Sequence, residues 1–185
     1  MPVAAKVTRT QNIPEGVKVT YKNSILTVQG PKGSLTRHFS HPRVSITVSK
    51  DKVIIESIMP KKKESALLGT WAAHVGNMID GVTRGFKYTM KVVYSHFPVK
   101  TILKGNEFII ENFLGESHPR TARILGETKV EISGDTIILS GIDLEHVSQS
   151  AANIELATKI QNYDPRVFQD GIYMVHKGIM EEGGK

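Results

Sequence analysis

The stretch VKVTYKNSILTV, Val17 to Val28, settles the architecture because a version of it returns later in the chain. Val17, Val19 and Tyr21 alternate with polar residues, the period of a half-buried strand. Lys22-Asn23-Ser24 is a turn signal, and Ile25 to Val28 is the returning strand. The stretch VKTILKGNEFII, Val99 to Ile110, begins 82 residues further on. It too opens Val-Lys, turns at a lysine with an asparagine close by (Lys104-Gly105-Asn106) and returns apolar. A second hairpin follows each first one. VSITVSKDKVIIES, Val44 to Ser57, turns at Lys50-Asp51, and VEISGDTIILS, Val130 to Ser140, turns at Gly134-Asp135. Repetition at a long, nearly constant spacing, 82 residues for the first hairpin and 84 to 86 for the second, points to a duplicated structural unit.

A helical pattern follows each second hairpin. Between Lys61 and Val82, Leu67, Leu68, Trp71, Val75, Met78, Ile79 and Val82 fall on one stripe at spacings of three and four. Between Asp143 and Gln161, the stripe is Leu144, Val147, Ala151, Ile154, Ala157 and Ile160. Asp143 has the chemistry of an N-cap, and Pro165 is expected to stop the second helix. Each repeat therefore reads β-β-β-β-α, with room for a further strand. Tyr88, Met90, Val92 and Tyr94 alternate as the strand that opens the second copy. The expected fold class is α+β: two repeated antiparallel-sheet-plus-helix domains, each a two-layer α/β sandwich, over residues 1–83 and 84–185.

The chain has 185 residues, 39% hydrophobic and 23% charged, an ordinary globular balance. Its apolar runs fall short of the ~20 residues that cross a bilayer, and Met1 to Gln11 lacks the apolar core and cleavage site of a secretory signal. There are no cysteines, which excludes disulfides and thiolate metal sites. Net charge is +6, which favours a polyanionic partner. The surplus is uneven. Residues 1–83 hold 12 basic and 5 acidic side chains, whereas residues 84–185 hold 12 and 13.

The motifs of catalysis are missing. Gly30-Pro31-Lys32-Gly33-Ser34 has only two residues between its glycines and runs into the strand-like Leu35 to Phe39, so it reads as a tight turn and not a phosphate loop. The seven histidines do not fall in zinc-ligand spacing, and there is no Gly-x-Ser-x-Gly elbow. No enzymatic activity, cofactor, metal or small-molecule substrate is expected.

Three segments carry the residue types that grip RNA. Lys61, Lys62 and Lys63 open the first helix, where like-signed helix-dipole charge disfavours them and phosphate would offset it; the other reading is a solvated charge run. His118-Pro119-Arg120-Thr121-Ala122-Arg123 holds two arginines, whose planar forks suit phosphate, or which pair locally with Glu116 and Glu127. Lys159 to Lys177 mixes Lys159, Arg166 and Lys177 with Tyr163, Phe168 and Tyr173, suited to phosphates and to stacked bases. The alternative there is that Phe168 and Tyr173 close the core, with Tyr173 sharing a strand with Val175.

The chain also resembles a known family, the large-subunit ribosomal protein L-six family, called L-nine in eukaryotes. The resemblance runs over nearly the whole length. It rests on Val28-Gln29-Gly30-Pro31-Lys32-Gly33-Ser34-Leu35, Gly69-Thr70-Trp71 with His74, Asn77 to Thr83, Val93 to Pro98, Asn112-Phe113-Leu114-Gly115-Glu116 and Arg166 to Tyr173. The last is similar to the archaeal and eukaryotic branch. Ala72 and Gly76 stand where relatives often carry basic or larger residues, and Tyr163 where lysine or arginine is expected.

The resemblance implies two α+β domains in a structural constituent of the large ribosomal subunit, in the cytoplasm. It implies binding to large-subunit rRNA near the sarcin–ricin stem, beside the factor-binding centre, with the second domain doing most of the gripping. Partners are then rRNA and neighbouring ribosomal proteins, with translation factors close by and no membrane. On this basis Arg120, Arg123, Lys159, Arg166 and Lys177 are assigned to phosphates, with Lys61, Lys62 and Lys63 as further cations. Gly115 and Gly171 are assigned to close backbone approach, since glycine lacks a Cβ. His118 and Tyr163, with Asn162 alongside, are assigned to bases. A free-standing RNA-binding module outside the ribosome and an enzyme with a concealed site are the competing readings.

Overall fold

Two-residue turns set the register of the hairpins. The computed structural model describes residues 6–95, 97–161, 164 and 166–180. In it, β2 (Lys18–Lys22) pairs with β3 (Ile25–Gly30) so that Lys22 faces Ile25. Asn23 and Ser24 between them both have positive φ, 51° and 63°. That is the mirror-image turn whose twist matches a right-handed hairpin, and asparagine tolerates it well. The hairpins between β8 (Lys100–Lys104) and β9 (Glu107–Glu111) and between β11 (Lys129–Ser133) and β12 (Thr136–Gly141) also have two-residue turns, with positive φ only at the first residue, Gly105 at 61° and Gly134 at 57°.

The chain divides into two units, residues 1–84 and 85–185. The first holds two three-stranded antiparallel sheets. One has the order β1 (Lys6–Asn12), β6 (Lys52–Ile58), β5 (Ser45–Val48); the other has β2, β3, β4 (Gly33–His38). Helix α1 (Lys62–Thr83) packs on β1, β3 and β6. Its buried face is Leu68, Trp71, Val75, Met78, Ile79 and Val82, the stripe read from the sequence with Leu67 only partly buried at its margin, over Leu26, Val28, Val53 and Ile55. Trp71 meets the edge of Phe39 at 5.1 Å between ring centres. Gln11 of β1 donates to the Ala72 carbonyl at 3.1 Å, and a Cβ on Gly76 would lie 3.6 Å from its amide.

The second unit repeats this plan. Its sheets are β8, β9, β10 (Arg120–Arg123) and β11, β12, β7 (Phe86–Val93), with α2 (Leu144–Ala157) packed on β7, β10 and β12. Phe108 and Ile110 of β9 are fully buried, 82 residues after the fully buried Leu26 and Val28 of β3. The unit adds one strand, β13 (Gly171–Ile179), along the free edge of β7. Six strands per copy, not four, precede the helix, because β4 and β10 return from the first hairpin and β1 and β7 open each unit.

Asp143 caps α2 as expected, accepting the Glu145 amide at 2.9 Å. The helix ends at Ala157 and does not run to Gln161. Thr158 stops it: its hydroxyl bonds back to the Glu155 carbonyl at 3.1 Å and accepts the Ile172 amide at 3.0 Å. A tertiary contact thus terminates the helix before Pro165, which lies outside the described residues.

The Gly30-Pro31-Lys32-Gly33 segment is the tight turn between β3 and β4. It also closes the C-terminus of α1. The Lys32 amide donates to the Val82 carbonyl at 2.9 Å, and its ammonium donates to the Arg84 carbonyl. Both satisfy carbonyls that a helix end leaves without partners, and the cation sits at the negative end of the dipole. The approach needs a glycine: a Cβ on Gly30 would lie 2.7 Å from Val82 Cγ2 and 2.8 Å from its carbonyl oxygen. Gly30→Ala is expected to destabilise the first unit by about 1–3 kcal/mol. Gly69→Ala, in an open stretch of α1 with nothing within 4 Å of the new Cβ, is expected to stabilise it by about 0.5–1 kcal/mol. Urea unfolding followed by Trp71 fluorescence checks both signs; an unchanged midpoint for Gly30→Ala would refute the docking of the turn on the helix end.

Candidate nucleic-acid interface

Between β9 and β10 the second unit carries an eight-residue loop, 112–119, where the first unit has Pro31-Lys32. Asn112, Leu114 and Gly115 all adopt left-handed φ, at 59°, 51° and 75°. Such a backbone is uncommon for leucine and asks for compensation. It comes from burial of Phe113 and Leu114 and from Arg120, whose guanidinium is the hub of the loop.

Arg120 Nε and Nη2 donate to the two oxygens of Glu116 at 2.8 and 2.6 Å, a fork-on-fork pair. Its Nη1 donates to the carbonyls of Ala157 and Lys159 at 2.9 and 3.0 Å, at the end of α2. The guanidinium carbon lies 4.4 Å from the centre of the Phe113 ring, a cation–π contact. This one side chain ties the loop to the helix end.

Two further segments join the loop. Asn112 Nδ2 donates to the Pro98 carbonyl at 3.0 Å, and the Phe97 ring lies over Gly115, 3.3 Å from where a Cβ would stand. The Ser95 amide and hydroxyl donate to Asp170 Oδ1 at 3.2 and 3.0 Å. The β7–β8 connection, the 112–119 loop and the segment between α2 and β13 thus form one tied cluster.

His118 is exposed on the loop. Lys159 has an exposed side chain and a carbonyl held by Arg120. Arg166 is exposed, its amide on Asp164 Oδ1 at 2.9 Å. Arg123 is exposed at the end of β10 opposite Glu107, its carbonyl accepting Asn153 Nδ2 at 2.8 Å. Asn162 and Tyr163 lie outside the described residues. Lys177 stands apart, opposite Tyr88 and beyond a bulge in β13. Lys61, Lys62 and Lys63 are exposed at the start of α1, in the other unit, and Lys61 caps that helix without a side-chain bond.

The structure changes how several of these residues are read. The local-pairing alternative is realised at Arg120 with Glu116, so its donors are directed inward. Gly171 is buried, and the space its missing Cβ leaves is filled by the Tyr173 ring at 3.0 Å. Close approach at that glycine is made by the chain's own tyrosine. Of the two aromatics weighed for the core, Phe168 packs against it. Tyr173 does not; it is 42% exposed, with Val175 exposed beside it. Ile172 and Met174 face inward in its place. Phe97 and Lys91, both exposed, were not singled out by the sequence reading. For Lys91 the signal was there, in its alternation with Met90 and Val92.

The Arg120 hydrogen bond holds the Glu116 carboxyl below its ordinary range, with the guanidinium charge adding to it against partial burial. A lowered carboxylate pKa means stability that is complete above the ordinary glutamate range and is lost as pH falls through the lowered value. The advantage of wild type over Glu116→Gln should therefore shrink as the pH drops below that range. Arg120→Ala should cost the second unit about 2–3 kcal/mol at neutral pH, and Arg120→Lys should recover less than half of it, lacking the fork. Denaturation monitored by tyrosine near-ultraviolet circular dichroism measures both; full recovery with lysine would show that charge alone suffices.

Among the described residues there is no cluster of three or more histidine and carboxylate groups poised to hold a metal, and no helix long and apolar enough to cross a membrane. The sequence profile of the family described as ribosomal protein L6 matches twice, over residues 13–85 and 97–171. The chain is similar to the large ribosomal subunit protein uL6 of Methanobrevibacter smithii, with 49% identity over 96% of this chain and 99% of the relative. The protein of the same name from Methanosarcina mazei is 48% identical over 93% and 98%, and that from Archaeoglobus fulgidus 51% identical over 91% and 89%. With the duplicated hairpin-hairpin-helix unit matched twice and the archaeal relatives aligned almost end to end, the chain belongs to the ribosomal protein L6 family, in its archaeal form.

Proposed function

We propose that the chain is a structural, non-catalytic constituent of the large subunit of the cytoplasmic ribosome, and that the tied loop cluster of its second unit grips large-subunit rRNA near the sarcin–ricin stem, beside the factor-binding region. Its relatives' name, large ribosomal subunit protein, supports the first part. The observation that carries the second is the Arg120 hub. It ties the loop that carries His118 to the helix end that carries Lys159, the Ser95–Asp170 bonds hold the segment that carries Arg166, and all three side chains stay exposed. Cations held on a rigid frame lose less entropy on docking than free lysines do. Neighbouring ribosomal proteins are the expected further partners, and translation factors pass close to the same region. Arg123, Lys177 and the Lys61–Lys63 run are available for additional phosphates.

Nearly balanced charge in residues 84–185 argues that binding is local and specific, since a weak global field gives little non-specific affinity. The test is binding of the purified chain to an rRNA fragment carrying the sarcin–ricin stem, against an unrelated RNA of equal length, at two salt concentrations. Preference for the fragment that survives the higher salt is expected. Arg166→Glu should abolish it with the circular dichroism spectrum unchanged, and Lys159→Ala should reduce the salt slope by about 1. Equal binding to both RNAs, lost steeply with salt, would refute specific docking. Specific binding by a chain that does not co-sediment with large subunits would instead favour a free-standing RNA-binding module.

A further inference from the structure

We propose that the outer face of the four-stranded sheet in the second unit carries a preformed stacking shelf, the ring of Tyr173, which takes an unpaired RNA base while Lys91 takes an adjacent phosphate. The inference rests on the RNA-binding reading above and assigns it a further contact, on the sheet face that adjoins residues 166–170.

Tyr173 is held in an unusual way. Its hydroxyl donates to the Gln169 carbonyl at 3.1 Å, four residues back along its own chain. The ring therefore runs back along the strand and lies across Gly171, where a Cβ would stand 3.0 Å from both Cζ and Oη and 3.1 Å from Cε2. One face of the ring covers glycine backbone and buries it; the residue as a whole is 42% exposed. An exposed tyrosine on a strand usually keeps its rotamer freedom. This one is pinned at its tip and seated on a glycine, so the entropy of ordering it is already lost on folding. That is what a stacking platform needs.

The strand register supplies the surroundings. Tyr173 stands opposite Lys91 and Gly171 opposite Val93, and both of these β7 residues are exposed. Directly opposed residues share a sheet face, with Cβ atoms roughly 5 Å apart. Ile172 and Met174 point the other way, opposite Val92 and Met90 of the core. Continuing across the same face, Thr136 follows Lys91, and Lys87 aligns with Ser140 and Lys129. Among the described residues in this register, Glu131, aligned with Ile138 and Thr89, is the carboxylate set against Lys87, Lys91 and Lys129. An aromatic ring beside an ammonium on a face where lysines outnumber carboxylates matches a base followed by its phosphate. A purely apolar partner would leave those lysines to be desolvated without compensation.

The experiment uses the full chain and the rRNA fragment named above. Tyr173→Ala should weaken binding by about 5- to 100-fold, the range for loss of one base stack, with the salt slope unchanged because no charge is lost. Lys91→Ala should lower the salt slope by about 1. Tyr173→Phe keeps the ring and removes its anchor, and should bind within about 3-fold of wild type, since most of a stack's energy comes from the ring. Each variant is compared with wild type by urea unfolding, so that a folding defect is seen separately. If Tyr173→Phe loses as much affinity as Tyr173→Ala, the hydroxyl acts by holding residues 166–170, and the shelf is refuted. If Tyr173→Ala and Lys91→Ala bind as wild type while Arg166→Glu does not bind, the RNA-binding reading stands and the shelf is refuted. Wild-type affinity for RNA combined with loss of co-sedimentation with large subunits would assign this face to a protein partner, and would overturn the proposal too. Failure of the wild-type chain to prefer the fragment would instead strike the RNA-binding reading itself.

Discussion

A helix that ends against other structure leaves carbonyl groups with no intrahelical donor, and both units of this chain meet that constraint with a cation from the adjoining hairpin. In the first, Lys32 gives an amide and an ammonium to the carbonyls of Val82 and Arg84. In the second, Arg120 gives one guanidinium nitrogen to the carbonyls of Ala157 and Lys159. The sequence contexts differ, a two-residue Pro-Lys turn in one and the end of an eight-residue loop in the other. The physical requirement is the same: a positive donor at the negative end of a helix, supplied by the sheet on which that helix packs. The placement of each helix on its sheets depends on this closure.

The two solutions leave different amounts of material over. Gly30 and Gly33 bring the first hairpin round in the shortest way, with Pro31-Lys32 pressed against α1. The second hairpin has residues 112–119 to accommodate. Arginine can do this where lysine could not, because its fork holds Glu116 with one side while its other nitrogen holds the helix end. The loop becomes part of a rigid frame, with Phe97 seated on Gly115 and Asp170 holding Ser95. The second unit also gains β13 on the edge that β1 leaves open in the first. The two units share one scaffold; the longer loop and the extra strand are what set the second apart.

That difference bears on charge. Most of the basic surplus is in residues 1–83, yet the tied cluster of exposed cations is in the nearly neutral half. Net charge reports the strength of a diffuse field, which governs encounter and non-specific attachment. A fixed docking surface depends on where a few donors are held. The acidic residues of the second unit are part of that holding, as Glu116 is for Arg120 and Asp170 is for Ser95.

The hairpins, the duplication, both helix stripes and the Asp143 cap were legible in the sequence, because each is a local property: a period of two, a period of 3.6, a turn that asparagine or glycine favours, a carboxylate beside free amides. The inclusion of the chain in its family was legible for a related reason, since long motifs keep their order along the chain. What local pattern could not reach was any choice made by residues far apart. Helix α2 stops at Ala157 because Thr158 bonds to Ile172, fourteen residues away. Arg120 turns inward because the end of α2 is there to receive it. Tyr173 and Ile172 are both apolar neighbours on one strand, and only the pairing of β13 with β7 decides which faces the core. Gly30 reads as a turn residue and Gly171 as a point of close approach by a partner, yet one makes room for a helix end and the other for the chain's own tyrosine ring. In each case the deciding partner is brought close by folding, so the information lies in the packing of the elements and not in the neighbours along the chain.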